Sequence, residues 1–237
     1  MDRIKLDEEA RAILRQILER QAYRQLMAAN IRGHGLRFLP DLDDKLCFTS
    51  ELDFSLRVMR EIEHLYGMLD GDDLYRAVRE RMDRIPYPES RLDLAVCLAL
   101  TERAECVASG SYESCVCDEF ATIAKTLVAA DRSVSAREEE LFIDFCADPT
   151  NLPLAQQFWN RWMTVAVVSF GRPGTRGDSR AVALGLRSKH SAEVVREFLD
   201  GVEPLRTKCG LKMPPMEELG VELPDDLRAR FSNASTT

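Results

Sequence analysis

Glu61 and His64 are the clearest candidates for metal chemistry in this 237-residue chain. They lie three residues apart in a stretch that predicts a helix, so both side chains leave the helix from one face. Carboxylate-bridged two-metal sites in four-helix bundles use a Glu-x-x-His helix of this kind. At about 100° per residue, Glu61 falls among the apolar residues of the helix, whereas Glu63 points to the opposite side. We therefore predict that Glu61 is on the buried face and either binds a metal ion or pairs with Arg57 or Arg60.

A complete two-metal site requires further ligands from the other helices of a bundle. Glu102 is a candidate because it is on the apolar side of the third core helix, although it could instead pair with Arg103 or with another helix. Asp131 is in phase with the apolar residues of the next helix, but Val134 stands where a histidine is wanted. On the first helix, Gln25 occupies the position expected for a glutamate. The sequence thus predicts an incomplete ligand set consisting of Glu61, His64, Glu102 and Asp131.

The elements that would position these residues are predicted to be helices along the whole chain. Capping boxes at Ser50 and Ser135 predict the starts of two of them, and residues 36–49 are predicted to form a connector. No segment has the period-2 alternation of a strand. The predicted fold is all-α, with one domain over 1–214, a four-helix core, additional C-terminal helices and a loosely ordered tail over 215–237. The predicted helices cover 7–32, 50–69, 72–84, 90–109, 112–132, 135–148, 151–170, 179–187 and 191–208.

Composition and charge exclude several classes of partner. No run of 18 apolar residues occurs, so we expect no membrane-spanning helix. The net charge of −8 argues against nucleic acid as a partner. Seven cysteines without a Cys-x-x-Cys pair, together with a charged N-terminal segment unlike a signal peptide, predict reduced thiols and a cytoplasmic location. With only three histidines, a three-histidine zinc site is not expected.

Several C-terminal motifs occur in a characteristic order. Phe-Trp-Asn-Arg-Trp at 158–162 is followed by Phe-Gly-Arg-Pro at 170–173, by the segment 179–189, and by a final helix at 193–211 that leads to Met213 and Pro214. Together with 57–66, these segments resemble the phenylacetic acid catabolic proteins, the ferritin-like family of the phenylacetyl-CoA epoxidase catalytic subunit. The resemblance is moderate over 156–214 and weak over the rest of the chain.

The resemblance implies a ferritin-like four-helix bundle and a carboxylate-bridged di-iron oxygenase. Such a protein would act on an aromatic or acyl-CoA-type small molecule, within a hetero-oligomer. Glu61 and His64 carry over directly as iron ligands, Glu102 as the third-helix carboxylate, and Asp131 only as a carboxylate. Because two positions depart from the pattern, one iron ion, two, or none are all compatible with the sequence. The alternative is a metal-free structural or ligand-binding partner, homo-oligomeric or assembled with related subunits, in which arginine pairs with Glu61 and Glu102.

Overall fold

The regular secondary structure is helical throughout the part of the chain that the structure describes. This computed structural model describes residues 6–82, 86–130 and 133–232, and within these ranges it contains α-helices and two short 3₁₀ turns but no strand. The prediction of an all-α fold is therefore confirmed. The helices are α1 Glu8–Gly35, α2 Leu42–Met68, α3 Leu74–Met82, α4 Arg91–Gly110, α5 Asp118–Val128, α6 Ser133–Cys146, α7 Leu152–Ser169, α8 Arg176–Ala183, α9 Ser191–Lys208, α10 Met216–Leu219 and α11 Asp225–Ser232.

The second helix begins earlier than the sequence pattern predicts. Asp41 is its N-cap, and its carboxylate accepts a hydrogen bond of 2.8 Å from the backbone N–H of Asp44. Asp43 and Asp44 add negative charge to the first turn, which the helix dipole favours. The prediction of a connector over 36–49 is thus wrong from Leu42 onward. Ser50 lies inside α2 and is not its cap.

Two further boundaries differ from the predictions. The helix predicted over 112–132 begins only at Asp118, because residues 111–114 form a turn in which the backbone N–H of Cys115 donates to the carbonyl of Tyr112. The capping box at Ser135 is not used, since α6 already begins at Ser133. Glu138, the other half of that motif, is buried and forms a two-point ion pair with Arg91.

Four of the helices contact one another in a closed ring. α1 packs against α2 and α4, and α5 packs against the same two helices. A first apolar cluster is formed by α1, α2, α3, α5 and α8, with Leu18, Ile62 and Phe120 among its fully buried members. A second cluster joins α4 to α6, α7 and α9. Because α4 is packed on both sides, its apolar residues continue almost all the way around the helix.

The segment after residue 214 is part of the folded core. Leu219, Leu223, Leu227 and Phe231 are all buried and belong to the second apolar cluster. Leu227 and Phe231 are four residues apart in α11 and therefore lie on one face of that helix. Residues 215–231 thus pack against the second apolar cluster, in the segment for which the composition predicts a loosely ordered tail.

α7 carries both tryptophans of the chain into the second cluster. The indole N–H of Trp162 donates to Asp93 Oδ1 at 2.6 Å, and Arg161 Nη1 lies 3.1 Å from the other carboxylate oxygen. Trp159 is completely buried, and its indole N–H has no hydrogen-bond partner among the described residues. None of the described helices combines the length and apolar character needed to cross a bilayer.

Candidate functional site

Glu61 and His64 are exposed on the outer face of α2. Ile62, between them, is completely buried, and the buried face of the helix continues through Val58 and Leu65. The prediction that Glu61 belongs to the buried face is thus wrong by one position, or about 100° around the helix. The reason is that α1 covers the side of α2 on which Ile62 lies. Neither Glu61 nor His64 therefore reaches the interior of the bundle.

Glu102 lies in the interior, far from Glu61. On α4, its carboxylate forms an ion pair with Arg32 of α1, which also pairs with Glu51 of α2 at 2.9 Å. Glu51 and Glu61 are ten residues apart on α2, which corresponds to about 15 Å along the helix. The arginine pairing considered for Glu102 is confirmed, although the partner is Arg32 and not Arg103. Asp131 lies outside the described residues.

A cavity lies beside this ion pair, enclosed by α1, α2, α4, the end of α5 and α7; we call it the bundle cavity. The room open to the centre of a water molecule is about 70 Å³. Its lining combines apolar side chains with three carboxylates and two guanidinium groups. The apolar part consists mainly of Met27, Phe54, Ala104, Leu127 and Ala166, and the charged groups are those of Arg24, Arg32, Glu51, Glu102 and Glu105.

Arg24 and Glu105 form a second ion pair in the wall of the bundle cavity. Nε of Arg24 lies 2.8 Å from Oε2 of Glu105. The other oxygen of Glu105 accepts a hydrogen bond from the Ser109 hydroxyl at 2.8 Å and one from the Gln25 amide at 3.2 Å. Gln21 bridges the pair by donating to Glu105 and accepting from Arg24. Gln25, at the position where the bundle pattern predicts a metal-ligating glutamate, thus donates a hydrogen bond to a carboxylate from another helix.

The charge balance keeps Arg32 ionised in the interior. Burial by itself lowers the pKa of this guanidinium, but the carboxylates of Glu102 and Glu51 outweigh that effect and leave the pKa raised. A buried cation of this kind is stable only when carboxylates remain beside it. The five charged groups among the described residues of the wall sum to −1, so this set of side chains is nearly neutral.

The donor set of the bundle cavity does not fit a di-iron centre. Each of the three glutamates is already paired with an arginine, which keeps its charge at all accessible pH values and would repel a divalent cation. The described residues that line the cavity include no histidine. Within the described residues, no group of three or more His, Cys, Asp and Glu side chains is arranged to hold a metal ion. The arginines occupy the region where a metal would have to neutralise the carboxylates.

Three of the residues that define this site were not identified from the sequence. Arg24 and Arg32 are eight residues apart and therefore lie on nearly the same face of α1. Gln21 and Gln25, four residues apart, are also buried on this helix. A row of long polar residues on the buried face of a helix indicates a polar site in the interior, and this pattern can be read from the sequence. Glu51 could not be placed because it fell at the edge of a predicted connector.

No protein-family model matches the chain, and no curated protein matches it at a significant level. The chemistry of the site therefore has to follow from its own residues.

Proposed function

We propose that the protein binds a small amphipathic molecule in the bundle cavity, without a metal, through a polar end group that donates hydrogen bonds. The observation that carries this proposal is a cavity lined both by apolar side chains and by carboxylates that are held in place by arginine partners. Binding sites for small organic molecules commonly combine these two kinds of wall.

The hydrogen-bonding capacity left over in the wall favours a donor. Glu51 uses Oε2 for Arg32, and its Oε1 has no hydrogen bond among the described residues. Gln25 donates its amide N–H to Glu105, which leaves its carbonyl oxygen as a free acceptor. The net charge of −1 on the described charged groups points the same way. An organic amine satisfies both acceptors and the charge.

The size of the cavity limits the part of the ligand that it can enclose. An apolar cavity of about 150 Å³ holds benzene, and the bundle cavity offers about half of that room. It accommodates an amine group and a few carbons against Met27, Phe54 and Leu127. A larger ligand would extend past the partly exposed side chains at the rim, among them Glu51 and Thr101.

In this proposal the closed ring of α1, α2, α4 and α5 is a ferritin-like bundle whose interior has exchanged metal ligation for ion pairing. The oxygenase activity implied by the phenylacetic acid catabolic resemblance requires iron at such a site, and the paired glutamates argue against it. A metal-free member of that class would serve as a binding or partner subunit, alone or together with related chains.

The test compares three molecules with the same four-carbon chain. n-Butylamine should raise the melting temperature at constant ionic strength and n-butanol less, whereas butyrate should give no shift that depends on Glu51, since an anion meets unpaired carboxylate oxygen in the bundle cavity. Glu51→Gln should reduce the butylamine effect at least several-fold. Glu63→Gln removes the same charge from the exposed side of α2 and should leave it unchanged. Equal effects of amine and carboxylate would contradict the proposal.

Metal content distinguishes the oxygenase alternative. Protein produced in medium supplemented with iron and manganese should contain far less than one metal ion per chain by elemental analysis. If the wild type contains near-stoichiometric iron and the Glu102→Ala variant does not, the oxygenase proposal is supported and the metal-free binding proposal is contradicted. Phenylacetyl-CoA serves as the second arm, and no shift of the melting temperature that depends on Glu102 is expected with it.

A further inference from the structure

A second, smaller cavity lies between α1, α8 and the turn that follows α4; we call it the α8 cavity. The room open to the centre of a water molecule is about 20 Å³, enough for one or two polar atoms. Its wall is rich in hydrogen-bond donors. Those donors are carried by Arg20, Arg187, Tyr112 and Gln16, and Asp178 is the one carboxylate among the lining residues.

Arg187 is held rigidly at the base of the α8 cavity. Its side chain is only 4% exposed and pairs with Asp178 at 3.1 Å. Nη1 also donates to the Ser191 hydroxyl at 2.8 Å, and Nε donates to Ser111. The guanidinium lies over the ring of Tyr112 at 5.5 Å from its centre. These contacts use Nε and Nη1, so that Nη2 donates to no acceptor among the described residues.

Arg20 brings a second positive charge to this cavity and has no carboxylate partner among the described residues. Burial lowers the pKa of this guanidinium, and the nearby charges of Arg24, Arg187 and Arg81 lower it further, although Tyr112 opposes them. An arginine nevertheless stays protonated in proteins. Arg20 is therefore a half-buried cation among other cations, which costs free energy unless an anion is present.

The backbone beside Arg20 leaves space for the guanidinium. Gly171 has a left-handed φ of 85°, and a Cβ atom there would lie 3.2 Å from Nη1 of Arg20. Tyr112 is buried, and its hydroxyl forms no hydrogen bond with any described residue. Three donors that lack protein acceptors, from Arg20, Arg187 and Tyr112, thus belong to the lining of one cavity.

We propose that the α8 cavity binds an oxyanion, either phosphate or the carboxylate of a small organic acid. The described charged groups of its lining sum to +1 in a chain whose total charge is −8. Guanidinium groups bind carboxylate and phosphate oxygens through paired N–H donors. The enclosed room admits one or two oxygen atoms of the anion, and the rest of the ligand lies at the mouth. This site is separate from the bundle cavity and does not depend on the function proposed for it.

The experiment measures the melting temperature in sodium phosphate, sodium acetate and sodium chloride at equal ionic strength. Phosphate or acetate should raise the melting temperature above its value in chloride, and the larger shift identifies the source of the oxyanion. Arg20→Gln should weaken the binding at least tenfold. In chloride alone, the same variant should be as stable as the wild type or more so, because an unpaired cation has been removed.

Two further variants separate binding from packing. Tyr112→Phe keeps the ring under Arg187 and should weaken oxyanion binding several-fold without lowering the melting temperature in chloride. Arg79→Gln removes an exposed charge from α3 and should leave the shift unchanged. The proposal is overturned if all three salts act alike. It is equally overturned if Arg20→Gln retains the full shift, or if that variant is destabilised in chloride and Tyr112→Phe binds normally.

Discussion

Nε of Arg32 on α1 lies 2.9 Å from Oε2 of Glu51 on α2, and the same guanidinium pairs with Glu102 on α4. One arginine thereby neutralises carboxylates from two other helices. Its side chain is only 8% exposed, so the geometry of these three helices and the charge balance of the bundle cavity depend on each other. Loss of Arg32 leaves two uncompensated carboxylates in the interior, whereas loss of either glutamate leaves Arg32 paired with the other one.

Arg32→Ala should lower the free energy of unfolding by about 3–5 kcal/mol, because both glutamates lose their buried partner. Urea unfolding followed by circular dichroism measures the change. Arg57→Ala is the matched control, since Arg57 pairs with Asp53 at 2.9 Å on the exposed side of α2. Its effect should be less than about 1 kcal/mol. Equal effects of the two substitutions would show that the interior cluster has no special role in stability.

Glu61→Ala should change the free energy of unfolding by less than about 0.5 kcal/mol, as is usual for an exposed residue. The same substitution should also leave the metal content of the purified protein unchanged. The adjacent Ile62→Ala should cost about 2–5 kcal/mol, because Ile62 is completely buried. A larger loss from Glu61→Ala than from Ile62→Ala would mean that the buried face of α2 had been assigned incorrectly.

Stability should fall as the pH rises above about 9. Burial raises the pKa of the Cys117 thiol from 9.0 to about 12, and burial likewise raises the pKa of Cys115. The unfolded chain releases these protons at lower pH than the native protein does, so native stability is complete below about pH 9 and is lost as the pH rises toward 12.

Melting temperatures measured across this range test the pH dependence. The decrease between about pH 8 and pH 11 should be smaller in Cys117→Ala than in the wild type. Cys47→Ala removes an exposed thiol and should keep the wild-type slope. A decrease of the same size in all three proteins would assign the effect to other groups.

Phe231→Ala should destabilise the protein by about 3–5 kcal/mol, because this side chain of α11 is 2% exposed within the second apolar cluster. Glu222→Ala, at an exposed position in the preceding segment, should have little effect. Thermal unfolding of the full chain measures both. Equal melting temperatures would support the loosely ordered tail that composition suggested.

The helical class and most of the helices could be predicted from the sequence because their periodicity and caps are local signals. The helix predicted over 90–109, for example, is α4, and Ser90 caps it by accepting a hydrogen bond from the backbone N–H of Asp93 at 3.1 Å. The sequence predicts the start of α2 too late because Ser50 and Asp53 have the pattern of a capping box, whereas the N-cap of the helix is Asp41.

The site was harder to predict because it depends on contacts between distant parts of the chain. A carboxylate in an apolar pattern has to be paired or bound, but the pattern cannot say which partner it finds. Glu102 finds Arg32, seventy residues away. Phase alone could not decide whether α1 covers Glu61 or Ile62, since one residue of rotation separates the two arrangements.

The placement of both tryptophans on α7 gives the molecule a built-in optical reporter. Trp159 and Trp162 are completely buried, and Trp162 lies one helical turn from Ala166, which lines the bundle cavity. Native emission should therefore be at short wavelength and should shift toward red when water reaches the indoles. Because the chain has only these two tryptophans, any change in their fluorescence on ligand entry arises from α7, without a label.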